Sequence, residues 1–290
     1  MTPTRLFTLT SLAMLAFAGN SLLCRLALKH TSIDAGSFTT IRLIAGAAVL
    51  WLMVRMRGGA PVGGGNWPSA LALFVYAAGF SFAYVSLTAA TGALLLFGAV
   101  QATMLGHGIW AGARLRRRQL LGLLLALGGM VGLLLPGLAA PPLTGALLML
   151  CAGLAWGVYS LRGKGAGDPT RVTAGNFARS VPIAVALSLL TLNRSAIDTA
   201  GLGYALASGA LASGLGYAIW YTALPALKAT SAATVQLSVP AIAAMGGVVF
   251  LGEPMTWRLL GASCAILGGI ALIILDKRPI ATRTPKDRTR

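Results

Sequence analysis

Acidic residues are scarce in this sequence: six Asp and Glu stand against 23 Lys and Arg in 290 residues. The six are Asp34, Asp168, Asp198, Glu253, Asp276 and Asp287, and each falls at the end of an apolar run, in a connector or in the tail. No apolar run carries a carboxylate in its interior. Charge of either sign is also low, at 10% of residues. Soluble domains carry about 25%, so a soluble globular protein is excluded. The three cysteines, Cys24, Cys151 and Cys264, form no CxxC or Cys/His cluster. They read as small buried side chains, which excludes a disulfide frame or a zinc site. Two histidines, His30 and His107, are too few for a metal constellation. No HExxH, no Ser/His pair on a glycine-framed motif and no paired acids within the apolar runs occur, which argues against an enzyme. A net charge of +17 would suggest nucleic acid in a soluble chain. Here the basic residues sit in short connectors between apolar runs, so no nucleic-acid partner is expected.

What the chain has in abundance is apolar sequence, with a mean hydropathy of +0.80. A window of about 19 residues finds ten apolar segments, near 6–28, 35–55, 68–88, 91–112, 119–136, 143–162, 172–192, 200–222, 230–251 and 257–275. About 20 apolar residues span a bilayer, and nothing is left over for a soluble domain. Arg5, the first run and Ala16-Phe17-Ala18 imitate a signal peptide and cleavage site. Cleavage there would destroy the first member of the repeat described next, so the run is read as a span. With the amino terminus inside, the inner connectors and tail hold 17 Lys and Arg, while Lys29, Arg194 and Arg258 alone lie outside. Both termini are therefore expected in the cytoplasm.

The sequence also repeats itself. Ala35-Gly36-Ser37-Phe38 returns as Ala174-Gly175-Asn176-Phe177, and Leu120-Leu121-Gly122 as Leu259-Leu260-Gly261, each 139 residues later. Gly128-Gly129 returns as Gly268-Gly269. The expectation is an all-α protein of two five-helix halves, residues 1–137 and 138–276, followed by a basic tail at 277–290. Because five is odd, the second half must enter the membrane from the opposite side. Inverted repeats of this kind are a transporter architecture, with substrate bound near the midplane and access alternating between sides.

Three passages carry a resemblance. Leu224 to Glu253, with LSVPAI at 237–242 and LGE at 251–253, is one; LLGASCAILGGIALII at 259–274 follows it, and Ala155-Trp156-Gly157-Val158-Tyr159 opens the second half. Together they resemble the EamA half-domain of the drug/metabolite transporter superfamily, and the likeness covers nearly the full length. Within it the chain is similar to the YddG-type bacterial exporters of aromatic amino acids. The resemblance implies a monomer in the inner membrane, a small-molecule substrate, the lipid bilayer as its surroundings and no cofactor. The first half departs from the pattern. Gln101 stands opposite Pro240, Ala113 where Glu253 would be, and Ala18-Gly19-Asn20 replaces the tryptophan-glycine start.

Ionisable groups within a span are costly and usually face the bundle interior. Arg42 and Arg179 lie well inside their segments, and each either meets a substrate carboxylate or reaches helix-end carbonyls. Arg25 lies nearer an end and reads as snorkelling to the interface. Asn20, Gln101, His107 and Gln236 either line a cavity or clamp helices together; Gln101, near the midplane, is assigned to the cavity. Trp156 and Tyr159 share a helix face and either stack on a planar substrate or pack the core. Tyr84 and Tyr217 are further cavity candidates, while Trp220 and Tyr221 read as interface anchors. Pro240 is expected to bend the ninth span beside the cavity, with Glu253 ordering a loop. The leading expectation is export of amino acids, aromatic or other neutral, down a gradient. Broad drug efflux, or proton coupling through His107, whose ordinary pKa suits a switch, are the alternatives.

Overall fold

A computed structural model describes residues 1–58, 64–112, 115–137, 140–163, 167–227 and 229–275. Ala113 and the basic tail at 277–290 lie outside the described residues. The described chain is helical, with no strand among the described residues, and ten helices of 18 to 28 residues are long and apolar enough to cross a membrane. The first seven are α1 (Pro3–His30), α2 (Ala35–Met56), α3 (Trp67–Tyr84), α4 (Ala89–Trp110), α5 (Arg117–Leu134), α6 (Leu143–Arg162) and α7 (Pro169–Leu190). The eighth span is α8 (Thr199–Ala207), a π-helical stretch (Ser208–Leu215) and α9 (Gly216–Ala223). The ninth is α10 (Ala229–Gln236) with α11 (Ser238–Leu251), and the tenth is α12 (Trp257–Leu275).

Helix starts follow the sequence closely. Thr2, Asp34, Asn66, Thr88, Asp168 and Asp198 each place a side-chain oxygen on a free backbone N–H of the first turn. At the other end of α5, Arg258 donates to the carbonyls of Gly132 (3.1 Å) and Leu135. The surface is apolar, with Phe7, Leu121, Leu190 and Phe250 more than 60% exposed, while Thr39, Ser81, Ser180 and Ser208 are fully buried. That distribution suits a bundle whose solvent is lipid. Cys24 is buried as expected, but Cys151 and Cys264 are exposed on outward faces. In lipid a thiol gains nothing by facing inward.

The principal helix pairings have a regular plan. α5 packs on α12, α2 on α7 and α4 on α11. α3 packs on α6 as the eighth span packs on α1, α4 on α6 as α11 on α1, and α3 on α7 as the eighth span on α2. Each pairing therefore maps onto itself or another when every span is exchanged for the one five places along. Glycine permits the close approach of α5 and α12: the carbonyls of Gly122 and Gly269 lie so near the opposing glycine that no side chain would fit.

Two spans are interrupted. Pro240 has no N–H for the Gln236 carbonyl, and the ninth span breaks at Leu237, whose N–H turns back to the Thr234 carbonyl at 3.1 Å. In the eighth span the π-helical turn packs on α2, where the Arg42 carbonyl lies directly against Gly209. Such π-turns are frequent at functional sites.

Candidate functional site

A cavity of about 570 Å³ is lined by residues of spans one, three, four and six to nine. Its mouth is formed by Asn66 at the start of α3, Arg162 and Gly163 at the end of α6, and Pro169 at the start of α7. It runs inward past Gln101 and Trp156 and ends at Phe80, Asn20 and Ser213. No Asp or Glu is among its described lining residues.

One wall is aromatic. Trp156 stacks on Tyr159 at 5.2 Å and on Tyr217 at 5.3 Å, and Tyr76 lies against it at 4.7 Å. Phe17 extends the wall to Trp220 at 6.1 Å. Trp156 and Tyr159 share a face because they are three apart on α6; Tyr217 joins them from the eighth span. Tyr159 is fixed from behind by Asn176, whose amide donates to its hydroxyl at 3.4 Å and whose carbonyl accepts from the Asn66 N–H at 2.9 Å. Trp220 and Tyr221, read from sequence as interface anchors, both line the cavity. The π-turn rotates the end of the eighth span relative to a regular helix, so α-helical spacing misplaces them.

Beyond the inner end the bundle is shut. Arg25 Nε donates to Glu253 Oε1 at 3.0 Å, and its Nη1 donates to the carbonyls of Tyr84 (2.9 Å) and Val85 (3.1 Å). Glu253 Oε2 accepts from the Ala89 N–H at 2.8 Å. The two side chains are 8% and 3% exposed, so Arg25 does not snorkel. It finds in Glu253 a partner worth more than an interface. Gly252 makes this possible: its φ of 61° turns the chain back so that both its own N–H and that of Glu253 reach the Gly247 carbonyl. The pair thus joins α1, α3, α4 and α11 at the end opposite the mouth.

The structure sorts the remaining candidates. Asn20, Gln101 and Gln236 line the cavity, and Asn20 also accepts from the Ser208 hydroxyl at 2.7 Å. Tyr84 does not line it; fully buried, it packs on Phe80 and donates to the Ala89 carbonyl at the shut end. His107 is exposed beside Trp110, away from the cavity. Because α4 is apolar almost all round, its sequence does not say which face a polar residue takes. Arg179 Nη1 donates to the carbonyls of Gly64 (2.6 Å) and Gly175 (2.9 Å), bracing the connector before α3. Pro240 is buried outside the lining; the kink it causes leaves Ala232 and Gln236 at the cavity. Arg42 is 2% exposed and sits immediately behind the wall, its guanidinium carbon 4.9 Å from the Phe80 ring and 5.4 Å from that of Tyr76.

A ten-span helical bundle around a polar-ended, aromatic-walled cavity is the architecture of a small-molecule membrane transporter. Residues 143–275 match the EamA-like transporter family. An uncharacterised protein of Pseudomonas aeruginosa is 59% identical over 96% of this chain and 98% of its own length. The threonine/homoserine exporter RhtA of Salmonella typhimurium is 34% identical over 43% of each chain, and that of Escherichia coli K12 is 31% identical over 48% of each. A crystal structure sharing 19% identity superposes with a TM-score of 0.65 over 94% of this chain and 98% of its own. That likeness speaks to the fold. Residues 143–275 thus carry an EamA-like transporter domain, and the protein is a multi-pass membrane transporter and not an enzyme.

Proposed function

We propose that this protein exports neutral amino acids and related small metabolites across the bacterial inner membrane by alternating access, as a monomer. The observation that carries the reading is the asymmetry of the cavity. It is open at the end bearing the basic connectors and shut at the other by the Arg25–Glu253 pair. The excess of Lys and Arg at the open end supports a cytoplasmic side there, shared by both termini, and on this reading the cavity faces the compartment that supplies an exported substrate. Residues 1–137 and 138–276 are then inverted repeats, supported by helix pairings that survive exchange of the halves. Rocking one half against the other breaks the shut end and closes the mouth.

The aromatic wall suits an aromatic side chain, while the RhtA relatives are exporters of threonine and homoserine, so both substrate kinds belong in the test. With no carboxylate among the described lining residues and His107 outside them, export down the substrate gradient is favoured. The experiment is uptake of labelled L-threonine and L-phenylalanine into proteoliposomes. Flux of at least one, unchanged by an imposed proton gradient, is expected. If no amino acid moves, the exporter reading fails.

A further inference from the structure

Among the described residues, Arg42 is a buried cation without an anion. The described acids lie elsewhere: Asp34, Asp168 and Asp198 cap helix ends and Glu253 is held by Arg25. In place of a carboxylate, the fork edge of the guanidinium meets two hydroxyls. Nε donates to Ser213 Oγ and Nη2 to Tyr76 Oη, each at 3.3 Å, while Nη1 has no partner. That edge ordinarily takes the two oxygens of one carboxylate. Tyr76 and Ser213 both line the inner end of the cavity. Each hydroxyl oxygen is occupied as an acceptor, so its proton is left to donate, and among the described residues neither finds a protein acceptor. The result is a pair of O–H donors at the cavity end with a desolvated positive charge immediately behind them. The π-turn at Ser208–Leu215 holds Ser213 there, packed across Arg42 on α2.

We propose that Tyr76 and Ser213, polarised by Arg42, form the seat for the carboxylate of a substrate, so that the site selects neutral amino acids and other small monocarboxylates. The inference rests on the exporter reading and names what that site recognises. It explains how a guanidinium can be kept within the bundle without an acid: the substrate supplies the counter-charge, and Arg42 is a positioning residue acting through two hydroxyls. The same charge repels cations. Lysine-like amino acids and cationic drugs bring a second positive charge to a cavity that offers them no carboxylate, so they are rejected. Broad efflux of cationic drugs would need the opposite electrostatics.

The test compares L-threonine with L-threoninamide and L-phenylalanine with L-phenylalaninamide, each pair differing only in the carboxylate. Competition in proteoliposome counterflow and quenching of the cavity tryptophans in detergent are the two readouts, and ethidium serves as the cationic probe. A hydrogen bond to a charged group is worth about 1.5–3 kcal/mol, so each amide should bind at least about tenfold more weakly. Tyr76→Phe and Ser213→Ala should each raise KM for the amino acid about tenfold while leaving the weak binding of the amide unchanged, and Ser213→Thr should restore it. Arg42→Gln should remove the preference for the carboxylate altogether. Equal binding of acid and amide, or unaltered Tyr76→Phe and Ser213→Ala variants, would overturn the seat. Absence of flux with carboxylate-selective quenching would remove the export reading and leave the seat standing.

Discussion

Glu253→Gln leaves the Arg25 charge buried against two carbonyls with no anion, and breaking a buried pair in this way costs about 3–5 kcal/mol. The expected outcome is a marked fall in thermal stability in detergent, larger than for Lys29→Gln at an exposed position; a shift of equal size in both would show that the pair contributes nothing special. Sequence placed Arg25 near a helix end and Glu253 at another, but their meeting was not legible. The two are 228 residues apart, and their contact depends on how spans one and nine pack, which no local pattern encodes. Arg42 was legible as a charge inside a span because hydropathy alone marks it. Its partners were not, since Ser213 reaches it only through a π-turn. His107 failed for the converse reason: its depth in an apolar run says nothing about its face.

Helix caps are the most local elements, because each rests on one residue and its own next turn. Asp34 caps α2 through the Gly36 and Ser37 N–H groups, both at 2.9 Å, and also accepts from the Ala196 N–H at 3.1 Å. Partial burial works to raise its pKa, but the hydrogen bonds from Ser37, Ala196 and Gly36 outweigh this and hold the carboxyl below its ordinary value. A depressed folded pKa means stability present above the unfolded value of about 3.9 and lost as pH falls through the lower folded value. Asp34→Ala should therefore lower stability by about 1 kcal/mol at neutral pH, with the gap from wild type closing below about pH 4 in thermal melts. The break in the ninth span was half legible: proline announces a lost hydrogen bond, and the break falls three residues before it, at Leu237, where the orphaned turn tightens. Gly252→Ala forces a side chain into the left-handed region at a cost of about 1–2 kcal/mol, and it should lower stability through the Glu253 contact it misaims.

At the scale of the whole molecule, the sequence repeat and the pairing plan share one period, since the pairings survive exchange of each span for the one five places along. The cavity was not foreshadowed, since it lies where faces of several spans meet and only the packed bundle defines it. The proposed alternating-access cycle makes a directional prediction. A charged, water-soluble thiol reagent should label Ser160→Cys, which lines the mouth, from the cytoplasmic side. It should leave Leu87→Cys, 1% exposed at the shut end, unlabelled from outside until substrate drives turnover. Native Cys24 is buried, and Cys151 and Cys264 face outward among lipid-facing residues, so they interfere little. Equal labelling of Leu87→Cys at rest would mean that the shut end is not a barrier. The buried Arg25–Glu253 pair also makes transport sensitive to ionic strength on one side only. While sealed, the pair is beyond the reach of dissolved ions, whose screening length is about 8 Å in physiological salt and shortens as salt is added. Once the outer end opens, the separated charges stand in the external medium, and their attraction is screened. On the proposed export cycle, external salt should therefore slow the return to the sealed state without hastening its opening, so the electrolyte on that side would set the pace of recovery after each export event.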